Sequence, residues 1–284
     1  HARLHRHHRR PGRGARWGAA VTPVLDTAAP LAHLRWDGGG APVLLMHGVG
    51  GGRQAWERTG PALAAAGYLA VAVDFPGYGL SAPIQPYDLA GMAAAVVRLV
   101  GHLGRGPAVL VGHSMGGMVA QEVAASAPAV VAGLVLASTS PAFGKPGGDW
   151  QQAFLQSRFA PLDAGLGMAG LAAQLVPSMV ALGAAPEAVA AAQALMAGVP
   201  EATYRAAVAA LVSFDRRANL PLIAVPTLAI TGAYDRTSAP EVAQKMADRI
   251  PGAHCLIVPG AGHLLNIEQP EAFIAALLAH LALI

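Results

Sequence analysis

Residues 107–117 read Pro107-Ala-Val-Leu-Val-Gly-His-Ser-Met-Gly-Gly117. The run 107–111 is apolar without a break, which predicts a strand covered on both faces. Residues 115–127, stopped by Pro128, carry the pattern of a helix. Between them, Gly112-His-Ser-Met-Gly116 is a G-x-S-x-G turn. A chain that passes so sharply from strand to helix leaves no room for side chains two residues either side of the serine, so glycine is needed at both positions. The turn lifts the Ser114 hydroxyl above the carboxyl edge of a sheet and aims the following N–H groups at the same space. The plain alternative is a serine capping a helix. Short G-x-S-x-G strings arise by chance, but the strand-turn-helix setting, with Gly117 open to close helix packing, favours a nucleophile.

Short apolar runs and helical stretches alternate on both sides of this turn. Residues 31–36, 42–46, 69–74 and 131–137 are strand candidates, and 54–66 and 87–103 are helical in pattern. The runs are continuous rather than alternating, so the sheet is expected to be mostly parallel and flanked by helices. From 141 to 218 the alternation stops. This stretch is rich in Ala, Met and Leu at helical spacing and is punctuated by Pro161, Pro177, Pro186 and Pro200. It predicts a helical cap inserted between core segments 21–140 and 219–284. A strand (225–231), a helix (240–249), a strand (254–258) and a terminal helix (270–283) complete the α/β pattern.

Composition narrows the classes. The 284-residue chain is 54% hydrophobic and 12% charged, too apolar for a disordered protein and ample for a core. No window offers the uninterrupted apolar length of a membrane span, and no secretory leader pattern follows the basic N-terminus. One cysteine, Cys255, excludes an intrachain disulfide, and the cytoplasm is the expected compartment. Six of the 19 Lys and Arg residues and four histidines fall in residues 1–20, which contain no acid. The rest of the chain carries 13 basic against 16 acidic side chains. The basicity therefore belongs to residues 1–20, read as a disordered extension rather than an arm for nucleic acid. Neither nucleic acid nor membrane is expected as a partner.

A serine hydroxyl needs a base, and the base needs orienting. Thr231-Gly-Ala-Tyr-Asp235 and Gly260-Ala-Gly-His263 each follow a predicted strand. They give the order Ser114, Asp235, His263 at strand carboxyl ends, where open α/β sheets place their sites. Asp215 and Asp248 are rival acids without that placement. His47, His102, His113, His254 and His280 are rival bases, of which His47 and His113 flank the site and are read as shaping loops. After the run 131–137 the chain has Ser138-Thr139-Ser140 and no carboxylate.

With these motifs, His47-Gly48 after a strand and Asp74-Phe-Pro-Gly-Tyr-Gly-Leu-Ser81, the chain resembles the α/β-hydrolase superfamily from about residue 31 onward. The likeness is to its capped serine esterase, enol-lactonase, haloperoxidase and C–C hydrolase branch. The resemblance implies the α/β-hydrolase fold, Ser114 as nucleophile, His263 as general base then acid, and Asp235 as its partner. It also implies the N–H groups of Val49 and Met115 as oxyanion hole, and no cofactor. The residues of the loop His47-Gly-Val-Gly-Gly-Gly52 agree, because glycines let backbone donors approach a reacting oxygen.

Gly77-Tyr-Gly-Leu-Ser-Ala82 fits a dinucleotide fingerprint on paper, but Pro83 and Pro86 stand where its helix would begin. It is read as a turn beside the site. No phosphate-cradle lysine follows the 48–52 glycines, and no metal-ligand spacing appears. Phe143, Trp150 and Met168 are the substrate-binding candidates of the cap, each weighed against a place in its core. With few charges in the cap, an uncharged small-molecule ester or lactone is the expected substrate. The function this predicts is ester or lactone hydrolysis through an acyl-enzyme. A C–C bond hydrolase of ring-cleavage products, a haloperoxidase-like perhydrolase and a ligand-binding receptor on the same fold are the alternatives.

Overall fold

The computed structural model describes residues 21–144 and 148–284; the basic stretch 1–20 lies outside them. Eight strands form one sheet: β1 (Val24–Asp26), β2 (His33–Asp37), β3 (Pro42–Met46), β4 (Leu69–Val73), β5 (Ala108–His113), β6 (Val131–Ala137), β7 (Thr227–Gly232) and β8 (His254–Val258). Their spatial order is β1-β2-β4-β3-β5-β6-β7-β8. β1 and β2, and β2 and β4, pair antiparallel; from β4 to β8 every pairing is parallel. The α/β-hydrolase architecture is thus present, a mostly parallel sheet with helices on both faces.

Alternate residues of the central strands feed opposite faces, as the two-residue strand period requires. Leu44, Met46, Val71, Val73 and Leu110 join one apolar cluster; Val43, Leu45, Ala70, Ala72 and Val109 join the other. The first cluster is covered by α2 (Leu89–Leu103) and α3 (Met115–Ser126), the second by α1 (Thr59–Ala65) and α10 (Pro270–Leu281). Each fully buried Val or Leu here contributes roughly 1.5–3 kcal/mol. That double coverage is why these runs lack the polar alternation of a half-exposed strand.

Between β6 and β7 come four helices: α4 (Asp149–Asp163), α5 (Gly167–Met179), α6 (Pro186–Ala197) and α7 (Glu201–Leu211). Pro186 opens α6 and Pro200 precedes α7, both helix starts. Pro161 and Pro177 do not break their helices but sit in the last turns of α4 and α5. Each proline forfeits one i→i−4 hydrogen bond there, but the helix has less than a turn left to run, so the disruption falls at its end.

Several boundaries depart from the expected ones. The helix expected from 54 begins at Thr59, because Arg53–Trp56 forms a 3-10 turn that buries Trp56 against Phe273. β7 begins only at Thr227, after Pro226, which has no N–H to give a ladder. The three-residue β1 and the one-turn helix α9 (Leu265–Glu268) are too short for periodicity to register. The remaining helix, α8 (Pro240–Arg249), lies where expected. Among the described residues no helix is long and apolar enough to cross a membrane.

Candidate active site

β5 runs directly into the elbow. Ser114 has φ 53° and ψ −114°, a backbone state that is costly for any residue with a side chain. It is held there by hydrogen bonds on both sides. The Ser114 N–H donates to the Ala137 carbonyl at 2.9 Å, and the Thr139 hydroxyl donates to the Ser114 carbonyl at 2.7 Å. A Cβ at Gly112 would lie 2.3 Å from the Gly116 carbonyl, and one at Gly116 would lie 2.3 Å from the Met46 carbonyl. Both glycines are therefore required by the backbone crossing itself.

Three loops converge on the Ser114 hydroxyl. His263, in the loop after β8, places Nε2 3.1 Å from Ser114 Oγ. Its Nδ1 lies 3.0 and 3.1 Å from the two carboxylate oxygens of Asp235, in the loop after β7. Asp235 is itself fixed: the Thr237 and Ser238 N–H groups each donate to Oδ1 at 2.8 Å, and the Thr231 hydroxyl donates to Oδ2 at 3.2 Å. Burial alone would raise its pKa, but the His263 imidazole and the Ser238 N–H outweigh it and hold the carboxyl below its ordinary value. The Asp235 contacts orient Nδ1–H toward the carboxylate and leave Nε2 free to accept the serine proton. Asp215 pairs instead with Arg217, and the exposed Asp248 accepts a hydrogen bond from Gln244.

His47 and His113 are engaged otherwise. The Phe75 N–H donates to His47 Nε2 at 3.1 Å, so His47 Nδ1 carries the proton it gives to the Gly48 carbonyl at 2.7 Å. His113 Nε2–H donates to the His263 carbonyl at 2.7 Å. Burial pushes His47 down from 6.5 to about 4, and burial plus the neighbouring His263 pushes His113 down to about 3. Both are neutral struts. The unfolded chain takes up these protons near pH 6.5, whereas the folded protein resists until lower pH. The stability they contribute is therefore complete above 6.5 and declines as pH falls toward 4 and then 3. The slope is up to about 1.4 kcal/mol per pH unit for each group. The melting temperature should drop across this window, and His113→Gln, which keeps a donor for the His263 carbonyl, should flatten the drop. An unchanged slope in that variant would assign the acid sensitivity to other groups.

The loop after β3 approaches the serine from the opposite side. A Cβ at Gly48 would stand 3.2 Å from Ser114 Cβ, so the 48–49 backbone lies against Ser114. The Val49 carbonyl is held by the Tyr78 hydroxyl at 2.9 Å. Among the described residues, neither the Val49 N–H nor the Met115 N–H donates to another group. The turn at 77–82 is closed by the Gly77 N–H on the Ser81 carbonyl and bonded by the Thr203 hydroxyl of α7. No helix starts there, as the prolines foretold.

Glu268 is a site residue that the sequence reading missed. Its buried carboxylate accepts N–H groups from Gly262 at 2.9 Å and Leu264 at 3.0 Å, the two neighbours of His263, and from Ala181 at 2.7 Å. The His263 N–H in turn donates to the Met179 carbonyl at 2.7 Å. The end of α5 is thus fastened to the histidine loop. The signal in the sequence was a single acid closing the apolar stretch that follows His263.

Ser114 and His263 open into a chamber of about 160 Å³. Its walls are mostly apolar, with Leu175, Met179, Met196 and Val208 from the helical layer. Of the expected substrate contacts, Phe143 lines it. Trp150 does not: one turn ahead of Phe154 on α4, it stacks on that ring and is 57% exposed. Met168 does not either, because helical spacing puts it with Leu171 and Ala172 in the packed core. Phe154, Arg158 and Tyr204 line the chamber and were not foreseen.

The geometry has counterparts. The chain is 31% identical over 271 residues to the pimeloyl-[acyl-carrier protein] methyl ester esterase of Edwardsiella ictaluri, covering 87% of this chain and 96% of that protein. It superposes on a thermophilic esterase from Thermogutta terrifontis with a TM-score of 0.78 and 28% identity, covering 92% of this chain and 97% of the other. It is 34% identical over 263 residues, 87% of this chain, to the dihydrolipoyllysine-residue acetyltransferase component of the acetoin cleaving system of Pseudomonas putida. The chain spans 66% of the length of that component, and 13% of the polyketide synthase ThaQ of Burkholderia thailandensis, 31% identical over 93% of this chain. Residues 43–276, from β3 into α10, match the model of the alpha/beta hydrolase family, and the chain belongs to that family.

Proposed function

We propose that this protein is a serine hydrolase of carboxylic esters or lactones that works through an acyl-enzyme. The observation that carries the reading is the continuous relay from Ser114 Oγ through His263 to Asp235. His263 Nε2 takes the hydroxyl proton as Oγ attacks the substrate carbonyl carbon. The oxyanion that forms is met by the Val49 and Met115 N–H groups, two donors with no other acceptor among the described residues. His263 then protonates the leaving alkoxide, and Asp235 stabilises the imidazolium in between. Water repeats the sequence on the acyl-serine, releasing the acid and restoring Ser114. No step calls for a cofactor.

The helical layer 141–218 serves as a cap over this site, with 21–140 and 219–284 as the catalytic core. The esterase names carried by two of the relatives speak for an oxygen ester. The chamber is smaller than the several hundred Å³ of sites for drug-sized ligands, which suits short acyl groups. Purified protein offered p-nitrophenyl acetate, short alkyl esters, lactones and a ring-cleavage dienone should turn over an ester or a lactone. Turnover of the dienone alone would replace this reading with C–C hydrolysis.

A further inference from the structure

The helical layer contains four arginines, and three of them are paired. Arg205 meets Asp163 and Glu201, Arg216 meets Glu122, and Arg217 meets Asp215. Arg158, on α4, has no carboxylate within ion-pair distance among the described residues. It is also the one Asp, Glu, Lys or Arg among the described residues lining the chamber. Its guanidinium is held 4.9 Å over the Phe154 ring, one turn earlier on the same helix, and Phe154 packs edge-on to Phe143 at 4.8 Å. The aromatic pair fixes the cation in place without neutralising it.

A second group points to the same ligand. Tyr204, on α7, lines the chamber and is 2% exposed, yet its hydroxyl has no hydrogen-bond partner among the described residues. The Tyr78 and Tyr87 hydroxyls, by contrast, donate to the carbonyls of Val49 and Pro76. Burial pushes the Tyr204 phenol up to about 12. Arg158 and Tyr204 reach the chamber from α4 and α7, two helices packed against each other. The Tyr204 hydroxyl is not sealed in the interior but opens into the chamber, so the guanidinium and the phenol are both free to donate to a ligand there. An anion is the ligand that accepts from both.

We propose that Arg158 and Tyr204 form a subsite for a carboxylate on the acyl part of the substrate, which makes half-esters of short dicarboxylic acids, or lactones bearing a carboxylate, preferred over neutral esters. The planar guanidinium matches a carboxylate's two oxygens, and the phenol supplies a further donor. This inference rests on Ser114 being the hydrolytic nucleophile, and it reverses the expectation of an uncharged substrate drawn from the sparse charges of the cap.

The test compares kcat/KM for monomethyl succinate, glutarate and adipate with the corresponding neutral ester-amides, which have nearly the same shape. Wild-type protein should prefer at least one carboxylate by roughly tenfold or more, the value of one charge-assisted hydrogen bond. Arg158→Gln should bring that ratio close to one, Arg158→Lys should recover part of it, and Tyr204→Phe should lower it severalfold. Should Arg158→Gln fail to fold, Tyr204→Phe reads the same ratio. A wild-type ratio near one, or a ratio unchanged in the variants, overturns the subsite and leaves the hydrolase reading standing. If no ester or lactone is turned over, the hydrolase reading fails. Calorimetric binding of glutarate then decides the subsite: tenfold weaker binding by Arg158→Gln upholds it, and equal or absent binding overturns it.

Discussion

Ser114→Ala is expected to lower turnover of any accepted ester by roughly five to six orders of magnitude while leaving the melting temperature almost unchanged. The change removes one oxygen, whose contact is the 3.1 Å approach of His263 Nε2. The positive φ at this position costs alanine about as much as serine, and the bonds that fix it, from the Ser114 N–H and to the Ser114 carbonyl, belong to the backbone. A fluorophosphonate should add a single adduct to the wild-type protein, on the peptide containing Ser114, and none to the variant. Labelling of a different serine, or esterase activity surviving in the variant, would remove Ser114 from the centre of the mechanism.

That residue was legible because three independent constraints meet within residues 107–117. The buried run of β5 needs apolar residues on both faces, the elbow excludes a Cβ at 112 and 116, and α3 needs a close-packing glycine at 117, where a Cβ would lie 2.5 Å from Thr139 Cγ2. Asp235 and His263 were legible for a related reason. Each is a polar residue in the loop after a strand, where the sheet's carboxyl edge places loops side by side. The strands themselves were readable wherever the sheet is covered twice. Leu256 and Ile257 of the edge strand β8 are part-exposed, and only their apolar character, not their burial, identified that strand.

The chamber wall was not legible in the same way. Phe143, Trp150 and Met168 were chosen by size and position in the helical block, and one of the three lines the chamber. Which face of a helix looks into a cavity depends on how that helix docks; α5 and α6 are apolar around much of their circumference, and α4 scatters polar and apolar residues without a clear face. Periodicity in such helices separates inside from outside poorly. Arg158 was only one of the few charges of the cap, because nothing in the chain around it tells that its neighbours leave it without a carboxylate. Glu268 was missed because its three partners come from α5's end and the histidine loop, a contact made only in three dimensions.

Asp235→Asn should cost roughly four orders of magnitude in kcat while preserving the fold. The reason lies in which oxygen has donors. Oδ1 receives the Thr237 and Ser238 N–H groups, so the amide oxygen of asparagine must occupy that place. The amide NH2 then replaces Oδ2, 3.0 Å from His263 Nδ1, where it opposes the Nδ1–H that the carboxylate accepted. The imidazole answers by moving its proton to Nε2, the atom 3.1 Å from Ser114 Oγ. In that tautomer Nε2 donates to the serine rather than accepting from it, and the base is gone although every ring and loop stays in place. His263→Ala should fall to the level of Ser114→Ala, and the double variant no further, because the three residues act as one unit. His113→Gln, in contrast, should retain turnover within about tenfold, since it removes a strut and no proton acceptor. Rates for these variants on one neutral ester check the assignment. If Asp235→Asn kept wild-type turnover while His113→Gln lost it, the relay would have to be redrawn through the other imidazole.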